Sequence, residues 1–451
     1  MSKRLIIGVL VFFNVLILNA QSVAINIDAA IKKMEQLPLL KGATYSLYVV
    51  DANTQKVVFA KNELIGLATA SCLKTLTTIT ALDLLGPNFT YKTVFSLLPN
   101  NTITVMPTGD PSLGSWRYKI TKPDTIINSL IKAFGLGKTV AYKINVNDNY
   151  LGSDKIGGAT IWEDIGSYYG TTCSAFNWYE NQTDAVFKTG EVGTKTTFVQ
   201  TKPLCSALQL VNETTSGAKT TGDYSLTYYL PNSTKRIITG TLENDKNLAA
   251  VGLAVPSPVL FFGDFIQSFL PKTTVDENLF LKAEKPLKTF THTSPELSKL
   301  VYWFNKKSIN LYGDALLRTM GKKLNTDGSY EKSTEALVKY WADKNIGIES
   351  YELKLFDGSG LSPQTRVTTK ALVTAIQYAY KQPWFNSFYD ALPEYNGMKL
   401  KSGTINGTKG FTGLHTNKAG NTFIISMLIN NFNGTGTQAV NAMYNVLDVL
   451  K

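Results

Sequence analysis

Ser71-Cys72-Leu73-Lys74 sets a hydroxyl and an amine three residues apart, which on a helix places them on one face, one turn from each other. A serine hydroxyl is a weak nucleophile until a neighbouring base takes its proton, and a lysine kept from water can be that base. Two later runs hold further groups that nucleophilic catalysis uses. Ser308-Ile309-Asn310 brings a second hydroxyl and an amide, and Lys401-Ser402-Gly403-Thr404 brings a cation, two hydroxyls and a glycine. Each run is weak evidence alone. Average residue usage supplies about two S-x-x-K matches by chance in a chain of 451 residues. Ser216 to Lys219 and Ser329 to Lys332 also match, and a literal K-T-G stands at Lys188-Thr189-Gly190.

The surrounding elements discriminate among these. Leu73, Leu76, Ile79, Leu82 and Leu85 recur at three-residue steps and Gly86-Pro87 closes the run, so the pattern predicts a helix from about Ser71 to Leu85. Ser216 lies in Thr-Thr-Ser-Gly, and Ser329 follows Thr326-Asp327-Gly328; both settings are turns. The run at Lys188 precedes Ser308 and continues into Glu191-Val192-Gly193 with no apolar strand. Lys401 is followed by Thr404-Ile405, a glycine-containing turn, and the apolar run Phe423-Ile424-Ile425-Ser426-Met427-Leu428-Ile429. In the order Ser71, Ser308, Lys401, the motifs resemble the S-x-x-K, S-x-N and K-[ST]-G set of active-site serine penicillin-interacting enzymes.

Length alone suggests two to three domains, and 44% hydrophobic with 18% charged residues is a globular composition. Lys3-Arg4, the apolar stretch Leu5 to Leu18, and Leu18-Asn19-Ala20 predict a secretory signal peptide over 1–20, cleaved after Ala20. The apolar stretch is short for a membrane span. These features predict an exported, periplasmic protein. The net charge is +11, of which Lys3 and Arg4 supply two. Such a balance suits peripheral association with an anionic envelope surface or a carboxylate-rich polymer; it is equally compatible with solubility charge alone. No basic block, zinc-finger spacing or RNP-like run points to nucleic acid. Two isolated histidines and three scattered cysteines match no metal spacing, and no cofactor is expected. Cys72 reads as a small buried hydrophobe within the helix, while Cys173 and Cys205 are open to either a free or a bridged state.

Ile25 to Leu40 reads as an amphipathic helix, and Thr44 to Val50 with Lys56 to Ala60 as two strands joined by a turn. From about Tyr91 to Phe290 the texture changes to Thr, Gly, Asn and Tyr with frequent turn clusters, a β-rich signature. Helices return over Pro295 to Lys306, Asn310 to Met320 and Ser333 to Lys344. The chain closes with a strand from Thr422 to Asn430 and a helix from about Thr437 to Leu450. The 237 residues between Ser71 and Ser308 exceed what one compact domain places there without an insertion. The expected organisation is a discontinuous catalytic domain over 21–90 and 291–451. Residues 91–290 form a β-rich insert of two subdomains, about 91–115 with 205–290, and 116–204. Oligomeric state is not legible.

Further stretches carry a family resemblance. Gly109-Asp110-Pro111-Ser112-Leu113 resembles a G-D-P-T-L segment, and Ser308 to Arg318 resembles S-D-N-x-Y-A-E-x-L-L-R. Asp357-Gly358-Ser359-Gly360-Leu361-Ser362 matches D-G-S-G-L-S, and Trp162-Glu163-Asp164 through Ser174-Ala175-Phe176-Asn177 is similar to W-x-D…S-A-L. With the three motifs, the chain resembles the S13 peptidases, class C low-molecular-mass penicillin-binding proteins of the D-Ala-D-Ala carboxypeptidase/endopeptidase type. The resemblance implies an α+β fold: a penicillin-binding-protein/serine β-lactamase-like transpeptidase domain, an antiparallel sheet flanked by helices, with a large β-rich insert. There are departures. Thr69-Ala70 replaces the usual Pro-Ala before the serine, and Leu392-Pro393 to Gly397 runs almost directly into Lys401, so one rim of the site is expected to be trimmed. The Asp357 to Ser362 segment reads by itself as a structural turn.

What the resemblance implies for the residues is specific. Ser71 is the nucleophile and Lys74 its base, with an amine pKa lowered by burial and by Lys401. Ser308 relays a proton to the leaving amine, and Asn310 holds Lys74 and the substrate amide. Lys401 attracts the substrate carboxylate, with the Ser402 and Thr404 hydroxyls as partners. Gly403 lets substrate approach, and the N–H groups of Ser71 and Thr404 form an oxyanion hole. The implied partners are peptidoglycan stem peptides and β-lactam antibiotics. A β-lactamase and a non-catalytic peptidoglycan-binding scaffold of the same fold remain as alternatives. Helix-capping roles for Ser71, Ser308 and Asn310, and a strand-edge role for Lys401, are the competing structural explanations.

Overall fold

The computed structural model describes residues 22–157, 159–231, 233–244, 248–277 and 284–451. The expected signal peptide lies outside them. Among the described residues no helix is long and apolar enough to cross a membrane.

Strands from the two ends of the chain form one sheet. Its order is Glu394–Tyr395, Met398–Ile405, Thr408–Thr416, Thr422–Asn430, Thr44–Asp51, Val57–Lys61, and every pairing is antiparallel. The run from Thr422 to Asn430 is apolar along nearly its whole length because both of its faces are covered. Phe423, Ile425, Met427 and Ile429 face helix 22–35 and the C-terminal helix Gly436–Leu447, packing on Ile27, Ile31, Met34, Ala439 and Met443. Ile424 and Leu428 face the opposite layer, formed by helices Leu73–Leu85, Leu297–Lys306, Asn310–Lys323, Tyr330–Asp343, Thr369–Tyr380 and Phe385–Ala391. Ser426, the one polar residue between Phe423 and Ile429, shares a hydrogen bond with Thr412 at 2.8 Å, so its burial costs little.

Two features of this unit were not legible in the pattern. Thr408–Thr416 is a nine-residue strand where the sequence shows only a glycine-containing turn, because Gly410 and Gly413 interrupt its apolar alternation. The segment before Lys401 is a tight hairpin: Glu394–Tyr395 folds back on Met398 and Lys399 through Asn396 and Gly397, both with positive φ.

Between these ends, a five-stranded sheet runs in the order Thr274–Glu277, Lys143–Val146, Thr102–Met106, Lys92–Leu97, Lys288–Thr293. Helices Pro123–Phe134 and Pro258–Phe269 pack Ile126, Ile127, Leu130, Phe261, Phe262 and Ile266 onto it. Two three-stranded sheets follow. One joins Leu226–Tyr229, Lys235–Glu243 and Gln209–Gly217; the other joins Ala249–Ala254, Gln182–Lys188 and Thr197–Lys202. Ala185, Phe187, Ile238, Leu242, Val251 and Leu253 form their common core. The expected subdivision is therefore corrected. Lys143–Val146, assigned to a 116–204 subdomain, lies between Thr102–Met106 and Thr274–Glu277 and is parallel to both. Parallel pairing needs a crossover and leaves no local turn signature, so residue texture cannot reveal it.

The segment leading to Ser71 is fixed to the end of the central strand. Asn430 accepts from the Ala68 amide at 2.8 Å and donates to the Ala68 carbonyl at 3.1 Å. Asn430→Ala leaves both buried backbone groups unpaired and is expected to lower unfolding free energy by about 2 kcal/mol, read by chemical denaturation.

Candidate active site

Ser71 sits in a single 3₁₀ turn, Ala70–Cys72, that runs directly into helix Leu73–Leu85. The helix is buried on nearly every side, from Leu73 to Leu82. Its many threonines fit there because each buried hydroxyl finds a partner. Thr75 donates to the Cys72 carbonyl, Thr80 to that of Leu76 and Thr77 to that of Gly358, while Asn305 donates to Thr78. A helix so enclosed cannot tilt, and it carries Lys74 inward. Ala70, just before Ser71, is held at φ 45°, a left-handed conformation costing of order 1–3 kcal/mol for a residue with a Cβ.

Lys74 is 0% exposed. Its Nζ lies 2.9 Å from Ser71 Oγ, 2.7 Å from Asn310 Oδ1 and 2.7 Å from the Ser359 carbonyl oxygen. Asn310 Oδ1 and the Ser359 carbonyl can only accept hydrogen bonds. A neutral amine has two N–H groups and one lone pair; the two carbonyl oxygens take both hydrogens, and the lone pair is left for the Ser71 hydroxyl. Burial drives the Lys74 pKa well below the ordinary lysine value, and repulsion from Lys401 adds to that, while Asp357 and Asp314 oppose it.

Ser308 lies between helices Leu297–Lys306 and Asn310–Lys323, again with a left-handed φ of 56°, and donates to Ser71 Oγ at 3.0 Å. Asn310 opens the second helix. Its amide orientation is set from both ends, since Nδ2 donates to the Tyr169 carbonyl at 2.8 Å while Oδ1 meets Lys74. Tyr169 belongs to the intervening region, so that region reaches the chemistry directly.

The Lys401 strand runs along the other side of Ser71. At Gly403 an added Cβ would lie 2.5 Å from the Thr69 carbonyl oxygen, so the strand packs this closely only because the side chain is a hydrogen. Thr404 lines an open cleft of about 960 Å³ with Ser71, Ser308 and Asn310. Lys401 lies beneath it, 2% exposed, with Nζ donating to the Ser402 carbonyl at 2.9 Å and a pKa pushed down to about 8 by burial. Its influence on the cleft is therefore electrostatic, and Ser402 contributes a carbonyl to Lys401. Cys72 sits behind this strand, its thiol directed to the Lys401 carbonyl and its pKa pushed up to about 11 by burial. Cys173 and Cys205 are buried and unbridged. Among the described residues no group of three or more His, Cys, Asp or Glu side chains is placed to hold a metal ion.

Residues 23–394 match the D-Ala-D-Ala carboxypeptidase 3 (S13) family. The chain belongs to that family. The match takes in Ser71 to Lys74 and Ser308 to Asn310 and ends before Lys401. A D-alanyl-D-alanine carboxypeptidase of Actinomadura sp. is 24% identical over 379 residues, covering 79% of this chain and 68% of that protein. Carboxypeptidase DacB of Mycolicibacterium smegmatis is 25% identical over 177 residues, 34% of this chain and 38% of that protein. Penicillin binding protein 4 of Haemophilus influenzae shares the fold with a TM-score of 0.74 at 18% identity, covering 93% of this chain and 99% of that one.

In this member of the S13 family, the segment from Asp357 to Ser362 is more than a turn. Asp357 accepts from Ser359, Ser362 and Thr365. That set of bonds holds the Ser359 carbonyl against Lys74, a role no side-chain motif advertises. Gly360 has φ 78°, and a Cβ there would lie 1.9 Å from the Ala70 carbonyl. Asp314, whose carboxyl is raised to about 7 by burial and by Asp357, accepts from the Gly358 amide at 3.0 Å. Gly360→Ala is expected to displace the Ser71 turn and slow acylation by about a hundredfold. Stopped-flow labelling with a fluorescent penicillin, alongside circular dichroism to verify the fold, measures this.

Proposed function

We propose that this protein is an exported, periplasmic serine D-Ala-D-Ala carboxypeptidase and DD-endopeptidase that acts on peptidoglycan stem peptides through a Ser71 acyl-enzyme and is trapped by penicillin. The observation carrying this reading is a water-excluded Lys74 Nζ that lies 2.9 Å from Ser71 Oγ, while its other two neighbours are oxygens that can only accept. Lys74 takes the Ser71 proton as Oγ attacks the carbonyl carbon of the penultimate D-Ala. The oxyanion forms beside the N–H groups of Ser71 and Thr404. Ser308, in contact with Ser71 Oγ, passes the proton to the leaving amine as the C–N bond breaks, and water then releases the acyl group. The leaving amine is that of a free D-Ala in carboxypeptidase action and of a cross-linking side chain in endopeptidase action. A β-lactam acylates Ser71 in the same way, but its leaving amine stays tethered in the cleft. The Haemophilus relative with this fold has been seen with a β-lactam bound.

Intact-mass analysis after benzylpenicillin is expected to give one long-lived adduct on Ser71, lost in Ser71→Ala and Lys74→Ala. Rapid turnover of that adduct would instead identify a β-lactamase, and no adduct a scaffold.

The pH dependence follows from the two lysines. Because the Lys74 pKa is lowered, its amine deprotonates at lower pH than an ordinary lysine, and acylation rises with pH through that ionisation. Above about 8 Lys401 loses its charge, and capture of carboxylate-bearing substrates declines. A pH–kcat/KM profile on a D-Ala-D-Ala peptide is expected to be bell-shaped, and Lys74→Arg, which stays protonated, to be inactive across it.

A further inference from the structure

We infer that Lys409 is a second cationic anchor for the substrate's terminal carboxylate, an assignment that rests on the Ser71 acyl-transfer reading. Lys409 lies on the strand after Lys401 and faces Thr404 in register. Its Nζ donates to Thr404 Oγ1 at 2.9 Å, and both residues line the cleft that contains Ser71 and Ser308. The Lys401 ammonium does not line that cleft and is already turned onto the Ser402 carbonyl.

The other cations of the cleft are less suited to the task. Arg117 is engaged on both oxygens of Glu180, at 2.7 and 3.0 Å. Lys307 lies beside Ser308, in the link between helices Leu297–Lys306 and Asn310–Lys323. Among the described residues no carboxylate lies within ion-pair reach of Lys409, and its contact with Thr404 uses one of its three N–H donors. An anion bound beside the Thr404 hydroxyl would complete the set. A carboxylate there would accept from the Lys409 ammonium as a charge-assisted hydrogen bond in a partly desolvated setting.

The lysine is also held in place. Its stem passes the start of helix Gly436–Leu447, where a Cβ on Gly436 would lie 2.7 Å from Lys409 Cε. Gly436 does not have a positive φ, so alanine there is compatible with the backbone and moves the lysine head instead.

The test compares a peptide ending in D-Ala-D-Ala with the same peptide ending in D-alaninamide. The wild-type protein is expected to prefer the free carboxylate. Lys409→Met should lose about tenfold of that preference, with the loss appearing in KM for the carboxylate peptide. Lys409→Arg should keep most of it, and Gly436→Ala should fall between. Lys409→Met with undiminished preference, in a protein that benzylpenicillin still labels, overturns the Lys409 role alone. A wild-type protein that cleaves neither peptide and takes no label overturns the acyl-transfer reading and this assignment with it.

Discussion

A single amine out of contact with water organises this molecule. Lys74 can be buried because three oxygens surround it, and each is delivered by a different part of the chain: Ser71 from its own helix, Asn310 from 236 residues away and Ser359 from 285 residues away. Without those oxygens the buried nitrogen would cost several kcal/mol, so the site and the packing of two helices and a loop stand or fall together. The same desolvation that makes the ammonium costly favours the free amine, the form of lysine that can act as a base.

The sheet supplies the other half of the constraint. Its central strand, buried on both faces, positions Ala68 through Asn430, and the next strands bring Gly403 against the backbone of Thr69. Ser71 is thus held between a rigid helix and a rigid strand edge. The left-handed residues on either side of the chemistry, Ala70 and Ser308, are tolerated because this packing leaves them no alternative.

The intervening region takes part in the site. Tyr169 orients Asn310, and Glu180 accepts from Tyr312, Arg117 and Ser115, tying helix Asn310–Lys323 to the 115–180 stretch. Arg318, wholly buried on the same helix, donates to the carbonyls of Gly152, Cys173 and Gly328. The helix that carries Asn310 is therefore clamped by the intervening region.

Ser71, Lys74, Ser308 and Asn310, which the fold brings into contact, were legible as a set because their residue types recur at short spacings that the linear order preserves. The helix after Ser71 and the strand Thr422–Asn430 were legible because burial imposes a period on apolar residues. Three things were decided only by the tertiary structure. The Ser359 carbonyl is a backbone group, and any residue could supply it in principle, so no side chain at that position marks its role. The pairing of Lys143–Val146 depends on strands distant in sequence. The different placement of Lys401 and Lys409 depends on depth beneath the cleft: two lysines eight residues apart look alike in a sequence, and only packing determines which of them lines the cleft.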